Sequence, residues 1–183
     1  MVKYQAKPYI AAAPQAEVSG QSVLAFSENL ESCHITEILP RHGFGRIEPQ
    51  EWYPQQCWMD VLQEISTWPD ASPMLVAFGR KNVENAAIPA EINDVPKMLS
   101  LLHKIHHQNL RNIPDDEGFC IKQLSEKHFY IYHNTPNPDS AVFGFLWGLA
   151  ARFKKADERF MVRMIPNPNP EEEPGTIFEM RWD

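Results

Sequence analysis

Clustered positive charge is what this 183-residue sequence most lacks. Its 17 lysines and arginines are outnumbered by 24 aspartates and glutamates, for a formal net charge of −7. Nucleic acids and anionic membranes are held chiefly by clustered cations, so neither is an expected partner. Long apolar runs are missing too. The longest, Ala141 to Ala151, is broken by two glycines and falls short of the roughly 20 residues that cross a bilayer. The opening MVKYQAKPYIAAAPQ has two lysines but no apolar core of secretory type, so the expected compartment is cytoplasmic. Cysteine is scarce as well. Cys33, Cys57 and Cys120 stand far apart with no C-x-x-C pair, which excludes a disulfide framework and a cysteine zinc knuckle and leaves three part-buried thiols. Phosphate-loop, dinucleotide, HExxH and G-x-S-x-G signatures are all absent, and the reading leans away from an enzyme.

What is present suits one core. With 43% hydrophobic residues, residues 21–183 are expected to form a single domain behind an arm of residues 1–20 that is rich in Ala, Pro and Gln. The helical part runs over 21–113 and the sheet part over 117–183.

The helical part divides at its breakers. Residues 21–30 bring Val23, Leu24, Phe26 and Leu30 to a short helix. A second carries Ile35, Ile38 and Leu39 and stops at Pro40 to Gly43. Over Pro49 to Trp68, Trp58, Val61, Leu62 and Ile65 recur at helical spacing, with Pro54 placed in the first turn, where its missing N–H costs little. Asp70 or Ser72 caps the next helix ahead of Pro73, and that helix carries Leu75, Val76, Phe78 and Val83 before the Pro89 loop. Asp94 caps the last one, in which Met98, Leu101, Leu102 and Ile105 make an apolar stripe.

After Pro114 the period changes from helical to two. Phe119 and Ile121, then Phe129, Ile131 and His133, alternate with polar residues around a Ser125–Lys127 turn, the pattern of a hairpin. Asn137 and Pro138 open a helix bearing Val142, Phe145, Leu146, Leu149 and Phe153. Gly144 and Gly148 leave a bare strip on it, for which packing on the sheet is favoured over dimerisation. Residues 160–164 and 178–182 alternate as two further strands, joined by the acidic, proline-rich PNPNPEEEPG. The fold class is α+β: an N-terminal helical layer on a four-stranded antiparallel sheet, with a helix between the second and third strands.

Two groups of residues carry chemistry. His103 and His107 stand four apart on one helical face, beside His106, a spacing at which two imidazoles can meet one metal or ligand; no carboxylate has a fixed place as a third ligand. Tyr130 and Tyr132, with His128, His133 and Asn134, line a strand with hydroxyl and imidazole groups able to orient a ligand. Polar or interface histidines and a half-exposed strand would read the same way.

The stretch from Glu117 to Phe153, with FGFLWGLAARF in its helix, and the FEMRW ending resemble the superfamily of haem-nitric-oxide-binding and 4-vinyl-reductase-type small-molecule-binding domains, which also takes in a vesicle-trafficking subunit. The resemblance implies a cavity between the helical layer and the sheet for an apolar or aromatic ligand. His103, His107, Tyr130 and Tyr132 would be its polar groups, with Phe145 and Trp147 as apolar walls. It further implies a homodimer and a downstream signalling partner. The cofactor stays unknown, with haem as an alternative: His103 stands where the haem branch has its proximal histidine, and Tyr132 matches the first residue of its Tyr-x-Ser-x-Arg motif. Asn134 and Pro136 replace the Ser and Arg, which removes the guanidinium that would pair with a propionate. A ligand-free dimeric interaction module is the other reading.

Overall fold

The computed structural model describes residues 3–29, 33–86, 88, 91–172 and 174–183. Among these, six helices and seven strands follow in order: β1 (Glu17–Ser19), α1 (Gly20–Asn29), α2 (Cys33–Arg41), β2 (Trp52–Pro54), α3 (Gln55–Ser66), α4 (Ala71–Asn85), α5 (Val95–Asn109), β3 (Leu110–Arg111), β4 (Gly118–Ser125), β5 (His128–Asn134), α6 (Asp139–Phe153), β6 (Phe160–Ile165) and β7 (Thr176–Trp182). The four-stranded sheet is antiparallel in the order β4-β5-β7-β6, and α6 lies in sequence between its second and third strands. The fold class is the α+β arrangement expected from the sequence. None of the described helices is long and apolar enough to cross a membrane.

Local signals hold at several boundaries. Asp94 caps α5, its Oδ1 accepting the Lys97 N–H at 2.8 Å. Gly43 (φ +87°) follows α2 in the left-handed conformation that ends helices. Leu30, Pro89 and the Cys33 side chain fall outside the described residues.

Other boundaries move because distant segments meet. Val18 pairs with Tyr53 on one side and Leu110 on the other, making a second, three-stranded sheet β2-β1-β3. Pro54 therefore ends a strand and stands as the N-cap of α3 instead of lying inside its first turn. Pro138 is likewise the N-cap of α6 and not its first helical residue. Strands of two or three residues carry too little alternation to show in sequence.

The glycine strip is the clearest correction. It packs against α4 and not against the sheet. A Cβ on Gly144 would lie 2.1 Å from the Val76 carbonyl oxygen, and one on Gly79 would lie 2.1 Å from that of Ala141. Only glycine allows this approach of α4 to α6, since no side chain stands between the backbones.

Two apolar clusters result. One joins α1, α2 and α3 to the start of α4 through Phe26, Trp58, Leu62 and Phe78. The other joins α5 and α6 to the sheet through Leu99, Leu102, Ile131, Leu146 and Phe178. Each such side chain, fully buried, contributes about 1.5–3 kcal/mol.

Candidate functional site

Between the two clusters the packing is incomplete. A cavity of about 230 Å³ is lined mainly by α3, α4, α5 and α6 and reaches the four-stranded sheet at Phe119. Its walls include Trp58, Met59, Leu62, Phe78, Leu102 and Phe145. Its polar lining is mostly paired within the protein. Asn109 Oδ1 accepts from the Ser22 hydroxyl at 3.0 Å while its Nδ2 donates to the Ile105 carbonyl; Gln55 Oε1 accepts the Ala12 N–H, and Asn137 Nδ2 donates to Thr135 Oγ1.

The histidine face of α5 lies at the inner end of this cavity. Gly118 (φ +136°) opens β4 so close to α5 that a Cβ there would stand 2.7 Å from His103 Nδ1. Each imidazole has a partner in the chain. His106 Nε2 lies 2.8 Å from Glu117 Oε2, and His107 Nε2 donates to the Glu117 carbonyl at 2.8 Å. His103 Nδ1 accepts the Phe119 N–H at 3.3 Å, which leaves the neutral ring's hydrogen on Nε2. Burial, then the neighbouring His107 and His106, hold the His103 pKa below its usual value.

Glu117 is fully buried, and its Oε1 has no hydrogen-bond partner among the described residues. Tyr4 of the N-terminal arm senses it: burial first, then the charges of Glu117 and Asp116, push the phenol pKa up to about 12. No place for this carboxylate could be read from the sequence, because Asp115, Asp116 and Glu117 lie beyond the break that ends the histidine helix.

Of the six residues expected at the site, Phe145 lines the cavity. His103 and His107 sit just behind its wall, and His106 takes the lining position. Tyr130 pairs with Lys122 and Glu179, and Tyr132 with Cys120 and Ile177, so strand alternation turns both to the face opposite Ile131 and α5. Trp147 is held between Arg80, 4.0 Å over its ring, and Phe160, away from the cavity. Trp58, Met59, Leu62, Phe78 and Asn109 enter the site as core positions that sequence alone could not tell from any other buried stripe. Among the described residues, no group of three or more His, Cys, Asp or Glu is arranged to hold a metal ion. Cys120 is exposed, not part-buried, because it lies on the outer face of edge strand β4.

A second polar knot lies at the end of β5. His133 Nδ1 stands 3.4 Å from Asp139 Oδ1 and its Nε2 2.5 Å from Thr135 Oγ1, an order of groups found in nucleophilic sites. Thr135 Oγ1, however, accepts from both the backbone and the side-chain nitrogen of Asn137. Its lone pairs are thereby occupied, and the knot fixes the turn into α6. Burial holds the His133 pKa down against the pull of Asp139.

These features define a class: an α+β domain with a helical layer, an antiparallel sheet and an apolar cavity in the helical layer that reaches the sheet. No family model matches the chain, nor does any curated protein. Solved structures do match, and they place the fold with the H-NOX domains. A variant of the Tt H-NOX domain aligns at 14% identity over 90% of this chain and 94% of that one, with a TM-score of 0.64. A variant of an H-NOX protein from K. algicida, Fe(II) and unliganded, aligns at 16% identity over 90% and 96%, with a TM-score of 0.62. An oxygen-binding H-NOX domain related to soluble guanylate cyclases, in its oxygen complex, aligns at 12% identity over 90% and 92%, with a TM-score of 0.57. At these identities the likeness is one of fold. The haem-nitric-oxide side of the resemblance is the one supported; the 4-vinyl-reductase side gains nothing from these matches.

The residues here do not fit a haem of the H-NOX kind. The outer nitrogens of His106 and His107 are committed to Glu117, and that of His103 carries the ring hydrogen. Asn134, at the motif's serine position, binds the arm instead: its Oδ1 accepts the Ala6 N–H at 2.9 Å and its Nδ2 donates to the Tyr4 carbonyl at 3.0 Å. Pro136, at the arginine position, gives its carbonyl to the Tyr9 N–H at 3.0 Å. Strap contacts thus replace propionate contacts.

Proposed function

We propose that this chain is a non-catalytic, small-molecule-binding sensory domain whose ligand is an apolar or aromatic molecule held between α5 and α6. The observation that carries the reading is the cavity of about 230 Å³ with aromatic and aliphatic walls and internally paired polar groups. An enclosed apolar void of about 150 Å³ already takes benzene, so one or two rings are in range here. Binding between α5 and α6 would favour one arrangement of the helical layer over another, and so alter the surface offered to a downstream partner.

The test is native mass spectrometry of the purified protein with an absorption spectrum, followed by thermal unfolding against a panel of one- and two-ring aromatics. A stoichiometric bound mass, or a gain approaching about 2.7 kcal/mol at a ligand concentration 100 times Kd, is the expected result. Ile105→Trp, which fills the wall of the cavity, should remove that gain. A protein that gains nothing from the whole panel overturns the reading. Haemin is the control: no stoichiometric Soret band is expected, and one abolished in His103→Ala would restore haem as the ligand. The same spectra report whether the chain is a dimer.

A further inference from the structure

The cavity has an outer extension whose chemistry differs from its interior. A cleft of about 890 Å³ runs between α1 and α4 on one side and α5 on the other, with Phe145 and Leu149 of α6 as its floor. Ser22, Asn82, Ile105, Asn109 and Phe145 line both it and the inner cavity, so the two are neighbours. Along its length the walls are mainly apolar, through Val83, Ile92, Met98 and Leu101.

Among the described residues, Lys104 is the one charged side chain in the lining of the outer cleft. It is exposed and makes no ion pair among the described residues. Gln108 stands one helical turn further along the same face of α5, and Gln21 of α1 lines the same cleft. The mouth therefore offers one ammonium and two amides, all hydrogen-bond donors. At the opposite, inner end the buried carboxylate of Glu117 lies behind His106. An anion placed at that end would leave water for mainly apolar walls.

Resting on the small-molecule reading above, we infer that the ligand is an amphipathic monocarboxylate, with its headgroup at Lys104 and its apolar tail running past Ile105 towards Phe119. The difference between the two pockets sets the orientation: the cation and amides receive the anion in the outer cleft, and the apolar walls of the inner cavity suit the tail and not the headgroup. The exposed position of Lys104 limits its share of the affinity, so apolar burial supplies most of the binding and Lys104 the choice of headgroup.

The experiment is calorimetric titration of the full chain with decanoate, decan-1-ol and decylamine, each below its aggregation concentration. It compares the unmodified protein with Lys104→Gln, Lys104→Glu and Ile105→Trp, with thermal unfolding as the check on folding. Decanoate should bind more tightly than the alcohol or the amine. It should weaken about fivefold in Lys104→Gln and further in Lys104→Glu, while decan-1-ol is unchanged by both. Equal affinities for acid and alcohol with no response at Lys104, or a preference for the amine, would overturn the carboxylate inference and leave apolar binding standing. Should none of the three bind, or all bind Ile105→Trp as well as the unmodified chain, the inference fails whatever the aromatic panel shows. Only if that panel fails too does the small-molecule reading fall.

Discussion

His106 Nε2 lies 2.8 Å from Oε2 of Glu117, a carboxylate with no solvent exposure whose second oxygen has no partner among the described residues. That imidazole is the side-chain hydrogen-bond partner of a buried carboxyl group at the inner end of an apolar cavity. Removing it leaves a further buried oxygen unsatisfied, and His106→Ala is expected to cost about 1–3 kcal/mol by urea unfolding at neutral pH. Glu117→Gln, which keeps a hydrogen-bonding group in place, should cost clearly less. Equal costs for the two single variants would show that the contact itself carries no stability.

The α4–α6 contact predicts a second asymmetry. Gly144→Ala drives a methyl into the Val76 carbonyl, which backbone cannot yield cheaply, and should destabilise by about 3 kcal/mol. Gly45 has nothing within 4 Å of its would-be Cβ, so Gly45→Ala should stay within about 0.5 kcal/mol of the unmodified protein. Thermal melts of the two variants decide it.

One amide ties down the start of the arm at two points. Asn134 bonds Tyr4 and Ala6 and also donates to the Asp116 carbonyl at 3.3 Å. Asn134→Ala should cost about 1–3 kcal/mol. It should also raise hydrogen exchange at the Ala6 amide well before the β5–β7 ladder loses protection. Simultaneous exchange of arm and ladder would mean that the arm is no separate unit.

Acid should act first through histidine. His103 and His133 both have folded pKa values below the usual 6.5, chiefly from burial. The unfolded chain therefore takes up protons that the folded one resists. Stability is complete above about pH 6.5 and falls as the pH drops towards the folded values. Denaturant midpoints at pH 7.5 and 5.5 should show this decline, and His103→Gln should lessen it. A midpoint that rises between those two pH values would contradict the assignment.

Much of the framework was legible before any fold was known. Asp94 capped its helix as its position requires, and the change of period after Pro114 marked the hairpin, because both signals are carried by residues adjacent in the chain. The site was less legible. Tyr130 and Tyr132 looked like ligand groups, but in β5 every second side chain leaves the core face, and only the pairing of Ile131 with Phe178 determines which set leaves. His103 and His107 shared a helical face, yet the close passage of Gly118 turned them to the backbone of β4 and left His106 to line the cavity.

The sequence by itself determined which segments are helices or long strands, where the charges lie, and which chemistries have no residues to perform them. It did so because propensity, capping and hydrophobic period are local properties. Tertiary structure alone decided the three-stranded sheet, the glycine contact of α4 with α6, the burial of Glu117 and the cavity with its neighbouring cleft. Each joins residues far apart in the chain, and the side of an element that meets its neighbour is set by packing of the whole core.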